Sequence, residues 1–178
     1  MACAFPMKRI FLFRHGKSDW DAKYGADHDR PLAKRGQAAA SLMGRYLASL
    51  DQVPDRVLCS SAVRARETVR LAAVAGKWTC PITIVEELYR ASPEQVLDLI
   101  RDSKNSLGSI LLVGHDPTWS IVTGRLIGEA TVKFPTAAMA RIDLAIARWR
   151  AAEFGKGVLV WLVTPKLLTR IGWPDELK

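Results

Sequence analysis

Short apolar runs alternate along the chain with longer stretches in which apolar residues recur at helical spacing. The runs at 8–13, 55–59, 82–85, 109–113 and 157–163 are rich in Ile, Val and Leu and predict buried β-strands. Between them, residues 34–50 bring Ala38, Leu42, Tyr46, Leu47 and Leu50 to one face of a helix, and residues 62–75 do the same with Val69, Leu71, Ala72 and Ala75. A third helix is predicted over 93–102, capped by Ser92 with Pro93 in its first turn, and a fourth over 118–127. Strands that alternate with amphipathic helices predict an α/β fold, a mostly parallel sheet covered by helices on both faces. The segment 130–154 is less defined: residues 137–144 are compatible with a strand and residues 144–152 with a helix. Residues 17–33 hold Asp19, Asp21, Gly25, Asp27, Asp29 and Pro31 without periodicity, and predict a long loop over the end of the first strand.

Composition adds bounds to this picture. At 178 residues, 49% apolar and 25% charged, the chain is expected to form one globular domain over 1–178, with no repeat or low-complexity linker dividing it. Its net charge of +8 favours an anionic partner. The cations are scattered, and no aromatic and basic residues interleave on one strand, so no nucleic-acid partner is expected. Trp78, Trp149, Trp161 and Trp173 are therefore read as core or surface anchors. Cys3, Cys59 and Cys80 are odd in number and lack Cys-x-x-Cys spacing, which reads as reduced thiols rather than a disulfide frame or a zinc site. No apolar stretch reaches the ~20 residues of a membrane span, and the opening residues are too short for a signal peptide, so a cytoplasmic location and no membrane partner are expected. The sequence does not set the oligomeric state.

The candidate chemistry sits where strands end. The first strand runs into Arg14-His15-Gly16: a planar fork for phosphate oxygens, a nucleophilic imidazole and a residue that lets backbone come close. The second runs into Ser60-Ser61 and a helix whose first turn holds Arg64. A cation is misplaced there by the helix dipole, and an anion between it and the helix start would account for it. The fourth runs into Gly114-His115-Asp116-Pro117 and another helix. In open α/β sheets such carboxyl ends form the binding crevice, so Arg14, His15, Arg64 and His115 predict a phosphoryl-transfer site. Positive neighbours should keep His15 unprotonated, and a nearby carbonyl or carboxylate should fix its tautomer.

Four blocks in this order resemble the histidine phosphatase superfamily, the phosphoglycerate mutase-like fold, and within it the small SixA-type phosphohistidine phosphatases. They are Arg14-His15-Gly16-Lys17-Ser18, Asp29-Arg30-Pro31-Leu32 with Lys34-Arg35-Gly36, Ser60 through Thr68, and Val113 through Pro117. The resemblance covers most of the chain and implies a three-layer αβα sandwich. It implies His15 as nucleophile, with Arg14, Arg30, Arg64 and His115 binding the phosphoryl group. Ser18 and Lys17 are further candidates for phosphate contacts, and Trp20 and Trp119 for walls of the pocket. Ester-cleaving members use a carboxylic acid to protonate the leaving group. Glu87 occupies roughly that place and reads equally as a solvated loop carboxylate; Asp116 is a second candidate. No cofactor or metal is expected, as the loop aspartates do not read as a ligand set.

Three functions follow. The first is a metal-independent phosphatase that forms a phosphohistidine intermediate and acts on phosphohistidine in proteins, since a short chain leaves little room for a lid over a small substrate. The second is a phosphomonoesterase for a small metabolite, which needs an acid such as Glu87 because an alkoxide leaves less readily than an imidazole. The third is a phosphate-binding module without catalysis.

Overall fold

The computed structural model describes residues 7–173. Six strands form one sheet: β1 (Lys8–Arg14), β2 (Arg56–Ser60), β3 (Ile82–Val85), β4 (Ser109–Gly114), β5 (Met139–Leu144) and β6 (Gly157–Val163). Their order is β3-β2-β4-β1-β5-β6. The first four are parallel; β5 runs antiparallel to β1, and β6 antiparallel to β5. Five helices connect or follow them: α1 (Lys34–Ser49), α2 (Val63–Ala75), α3 (Pro93–Arg101), α4 (Thr118–Leu126) and α5 (Pro165–Arg170).

Burial explains why the strands read as they do. The middles of central β1 and β4 are apolar and buried on both faces, whereas edge strands β3 and β6 largely alternate exposed and half-buried positions. On one face, Phe11, Phe13, Leu111 and Val113 pack under Leu42, Met43 and Leu47 of α1, Ala65 and Val69 of α2 and Leu168 of α5. On the other, Ile10, Leu12, Ile110 and Leu112 pack under Val96 and Ile100 of α3 and Trp119 and Val122 of α4. Each such side chain contributes about 1.5–3 kcal/mol by leaving water, so both faces of the sheet are held by packed helices and the sheet anchors whatever leaves its ends.

The α/β three-layer expectation holds, and the ambiguous segment resolves. Residues 139–144 are β5, while the helix expected over 144–152 reduces to a single 3₁₀ turn at Trp149–Ala151. Trp149 accounts for the difference: its indole is buried and donates to the Leu107 carbonyl at 2.9 Å, tying the segment down by one side chain instead of a helical face. Ser92 caps α3 in a reciprocal capping box with Gln95. Trp78 donates to the Gly44 carbonyl and Trp161 packs on Phe11, so both serve packing. Cys59 and Cys80 are free thiols, and burial pushes Cys59 up to about 12; Cys3 lies outside the described residues. Among the described residues, no helix is long and apolar enough to cross a membrane.

Candidate active site

Strand register brings the two histidines together. β1 and β4 align residue for residue, with Phe13 opposite Val113 and Arg14 opposite Gly114. Parallel neighbours lie about 4.8 Å apart, so the residues that leave the two ends, His15 and His115, emerge side by side. Their ring centroids are 5.1 Å apart, and the His15 amide continues the ladder by donating to the Gly114 carbonyl at 3.0 Å. β2 pairs with β4 up to Cys59 opposite Val113, which delivers Ser60 to the same edge. There the Ser60 hydroxyl lies 2.8 Å from His115 Nε2.

The His15 ring is buried, and its Nδ1 lies 2.7 Å from the Gly16 carbonyl oxygen. A carbonyl only accepts, so Nδ1 carries the hydrogen and Nε2 keeps its lone pair. Burial comes first among the forces that hold His15 down to about 3, followed by the His115 ring and the charges of Arg64 and Arg14, against the pull of the Gly16 carbonyl. Burial and the charge of Arg64 likewise bring His115 down to about 4, and Asp27 opposes them. Both rings are neutral at physiological pH.

The loop that turns at His15 is held from two sides. The Gly16 amide donates to the Thr68 hydroxyl at 3.0 Å, and that hydroxyl donates to the Arg64 carbonyl at 2.6 Å, joining the His15 loop to the first turns of α2. A Cβ on Gly16 would lie 2.7 Å from the Gly36 carbonyl oxygen, and one on Gly36 would lie 2.2 Å from that of Lys17. The two glycines thus let the start of α1 press against the loop. Trp119 closes the underside, buried and donating from its indole to the Phe13 carbonyl at 2.9 Å.

Arg14 donates to the Phe134 carbonyl at 2.7 Å and lies 3.8 Å from Asp116, and its Nε is buried without a partner. Arg64 Nε and His115 Nδ1 are likewise buried and unpartnered. All three nitrogens belong to groups able to donate to an oxyanion.

By sequence Asp27 is one loop carboxylate among several, yet in the fold it is the hub of the site's outer half. It sits on a 3₁₀ turn (Asp27–Asp29) of the long loop. Its carboxylate accepts from Arg30 Nη2 at 2.6 Å, from Arg64 Nη2 at 3.0 Å and from the Tyr89 hydroxyl at 3.0 Å, while its carbonyl accepts from Arg64 Nη1 at 2.6 Å. Burial raises the Asp27 carboxyl, but the hydrogen bonds from Arg30 and Tyr89 and the charges of Arg64 and Arg30 outweigh it and hold it at about 2. The anion that Arg64 lacked by helix-dipole reasoning is therefore this internal carboxylate.

Arg30 is buried and engaged in full: it grips Asp27, donates from Nη1 to the Ser18 hydroxyl at 2.7 Å and stacks on Trp20 at 3.5 Å from the ring centroid. Ser18 is thus an acceptor for Arg30. Glu87 lies exposed on a 3₁₀ turn (Glu86–Tyr89), and the residue of that turn that reaches the site is Tyr89, edge-on to His115 at 5.6 Å. Asp116 accepts from the Ser120 hydroxyl at 2.5 Å beside Arg14. Ser60 and Thr68 fall inside the matched block, but only strand register and helix phase show that their hydroxyls face His115 and Gly16. Among the described residues, no group of three His, Cys, Asp or Glu side chains is arranged to hold a metal ion.

The family model of the histidine phosphatase superfamily (branch 1) matches residues 10–92. An uncharacterized protein of Mycobacterium leprae is 36% identical over 165 residues, which is 86% of this chain and 99% of that protein. The SixA-like crystal structure from Agrobacterium tumefaciens superposes with a TM-score of 0.77 at 30% identity, over 91% of this chain and 100% of that one. A structure of the protein histidine phosphatase SixA complexed with tungstate has a TM-score of 0.77 at 26% identity, over 90% and 99% of the two chains. With its paired histidines at the carboxyl ends of β1 and β4, this chain belongs to the histidine phosphatase superfamily.

Proposed function

We propose that the protein is a metal-independent phosphatase that hydrolyses phosphohistidine in a protein through a phosphohistidine intermediate on His15. The observation that carries this reading is the His15 ring: Nδ1–H given to the Gly16 carbonyl, Nε2 free, and the imidazole kept neutral. Nε2 attacks phosphorus as the bond from phosphorus to the substrate imidazole breaks, and the departing imidazole takes a proton from water. Arg14, Arg64 and the Nδ1 of His115 supply preorganised donors to the equatorial oxygens, where the charge of the transferred group collects. Water then attacks the phosphorus on His15, releasing inorganic phosphate and restoring Nε2. Binding of tungstate, a tetrahedral oxyanion, by the related SixA accords with such a pocket.

The state of Asp27 and the exposure of Glu87 support an imidazole leaving group. Asp27, held at about 2, is ionised at neutral pH and has no proton to give, and Glu87 is exposed on the 3₁₀ turn that carries Tyr89. An imidazole picks up its proton from water far more readily than an alkoxide does, which favours phosphohistidine over a phosphoester.

A panel of a phosphohistidine protein, free phosphohistidine and alkyl phosphates, each with and without chelator, tests the reading. We expect turnover of the first two, no effect of chelator, and an acid-labile phosphoenzyme that disappears in His15→Ala. Efficient turnover of alkyl esters that Glu87→Gln removes would assign the protein as a small-molecule phosphomonoesterase, and no phosphoenzyme in the unmodified protein would make it a binding module.

A further inference from the structure

A second feature lies beside the His15 pocket and is not used by its chemistry. A groove of about 620 Å³ runs between α1, α5 and the segment before β5. Among the described residues that line it are four cations, Lys17, Arg35, Lys166 and Arg170, and no carboxylate. Among the described residues, none of the four side chains makes an ion pair, and Arg35, Lys166 and Arg170 are exposed. Four like charges on one concave wall repel one another and draw anions from solution, an effect that reaches about 8 Å at physiological salt. The floor between them is aliphatic, including Leu42 and Pro165.

The groove is lined by residues next in sequence to those that hold Arg14 and His15. Lys17 lies two residues beyond His15, a span of at most ~7 Å. The adjoining strip runs from Phe134, whose carbonyl holds Arg14, to Ala137, whose amide donates to the His15 carbonyl at 3.0 Å, and the residues between, Pro135 and Thr136, line the groove. A ligand seated in the groove therefore lies next to whatever enters the His15 pocket.

We propose that this groove is a docking site for an acidic segment, with interspersed aliphatic side chains, of the protein that carries the phosphohistidine. The identity of the partner rests on the phosphoprotein reading above; the groove's preference for an acidic peptide does not. Charge complementarity selects an anionic chain, and the aliphatic floor selects a peptide over a nucleic acid, since the described lining residues include no aromatic ring on which a base could stack.

The test uses the double variant Arg35→Glu with Lys166→Glu. Both positions lie in the first turn of a helix, where a carboxylate is favoured, so the variant should fold. The probe is a fluorescein-labelled 12-residue peptide of alternating Glu and Leu, free of phosphohistidine, followed by anisotropy. We expect salt-sensitive binding to the unmodified protein, weakened tenfold or more in the variant. For a phosphohistidine protein with an acidic face, KM should rise by a similar factor with kcat kept, while turnover of free phosphohistidine stays within twofold. Equal peptide binding by both proteins, or tighter binding of a single-stranded oligonucleotide of the same charge, would overturn the proposal. Peptide binding decides the groove, and turnover decides the activity: a protein that binds the peptide through Arg35 and Lys166 but leaves phosphohistidine intact refutes only the activity.

Discussion

The carboxylate of Asp27 meets the guanidinium of Arg64 at 3.0 Å, so a side chain of the long loop occupies donors at the mouth of the His15 pocket. On the proposed function, an incoming phosphoryl group must share Arg64 with this resident anion. Neutralising it strengthens the positive field of the pocket, at the cost of leaving Arg30 and Arg64 without their shared counter-charge.

Asp27→Asn is accordingly expected to act in two opposite directions. Competitive inhibition by inorganic phosphate or tungstate should tighten by about 3- to 10-fold, since one negative charge is removed near the anion. Stability should fall by about 1–2 kcal/mol, less than for a fully buried pair because the Asp27 carboxylate is half-exposed. Inhibition constants and denaturant midpoints measured on the same preparations check both, and unchanged oxyanion affinity would rule out competition by Asp27.

The pH dependence follows from the two neutral histidines. Their values in the folded protein, about 3 for His15 and about 4 for His115, lie below the ordinary 6.5 that the unfolded chain shows. Below pH 6.5 the unfolded state therefore binds protons that the folded state refuses, and stability falls as pH drops from about 6.5 towards 4, by about 1.4 kcal/mol per pH unit for each histidine. Above pH 7 these two groups contribute no slope. Urea unfolding from pH 4.5 to 8 should show this, with a shallower slope in His115→Ala. The acid limb of kcat/KM should likewise fall below pH 5 rather than near 6.5, because that limb reports ionisations of the free protein.

How much of the fold and site is legible in the sequence depends on the distance over which each signal acts. The strands, the helices and the motifs at their ends follow from local pattern, and that pattern alone assigns Arg14, His15, Arg64 and His115 to one sheet edge. What brings His15 within 5.1 Å of His115 is the pairing of β1 with β4 across about 100 residues of chain, and no local pattern encodes that register. Asp27 is hidden for a similar reason: among Asp19, Asp21, Asp27 and Asp29 in an aperiodic loop, only the folded path of the loop selects the one that meets Arg30 and Arg64. The helix expected over 144–152 does not form because a buried Trp149, not a repeating apolar face, holds that segment.

Ser60 is expected to position His115. Its hydroxyl accepts from the Ala62 amide at 3.4 Å and lies 2.8 Å from His115 Nε2. Donation of the hydroxyl hydrogen to Nε2 leaves Nδ1, buried and unpartnered, as the protonated nitrogen available to an oxyanion. Ser60→Ala removes that control, and loss of one hydrogen bond worth about 1–2 kcal/mol should lower kcat/KM by about 5- to 30-fold. Nitrogen chemical shifts of the His115 ring should report a mixed tautomer in the variant, a change that a purely structural role would not produce, and Ser60→Thr should restore both the rate and the shifts in part.

Gly36→Ala tests the contact between α1 and the His15 loop. The added carbon would lie 2.2 Å from the Lys17 carbonyl oxygen and 2.8 Å from its amide nitrogen. Both are backbone atoms, in a loop held by the Gly16 amide on Thr68 and by the Ala33 amide on the Lys17 carbonyl. Relief by rotation of a side chain is not available, so either the start of α1 or the loop must shift. Overpacking of this kind costs about 1–3 kcal/mol or more, and the shift acts on Gly16, whose carbonyl fixes the His15 tautomer. Formation of the phosphoenzyme should therefore fall by more than tenfold at a temperature where circular dichroism shows the variant folded. A variant that lost stability but kept the full rate of phosphoenzyme formation would show that Gly36 serves packing alone.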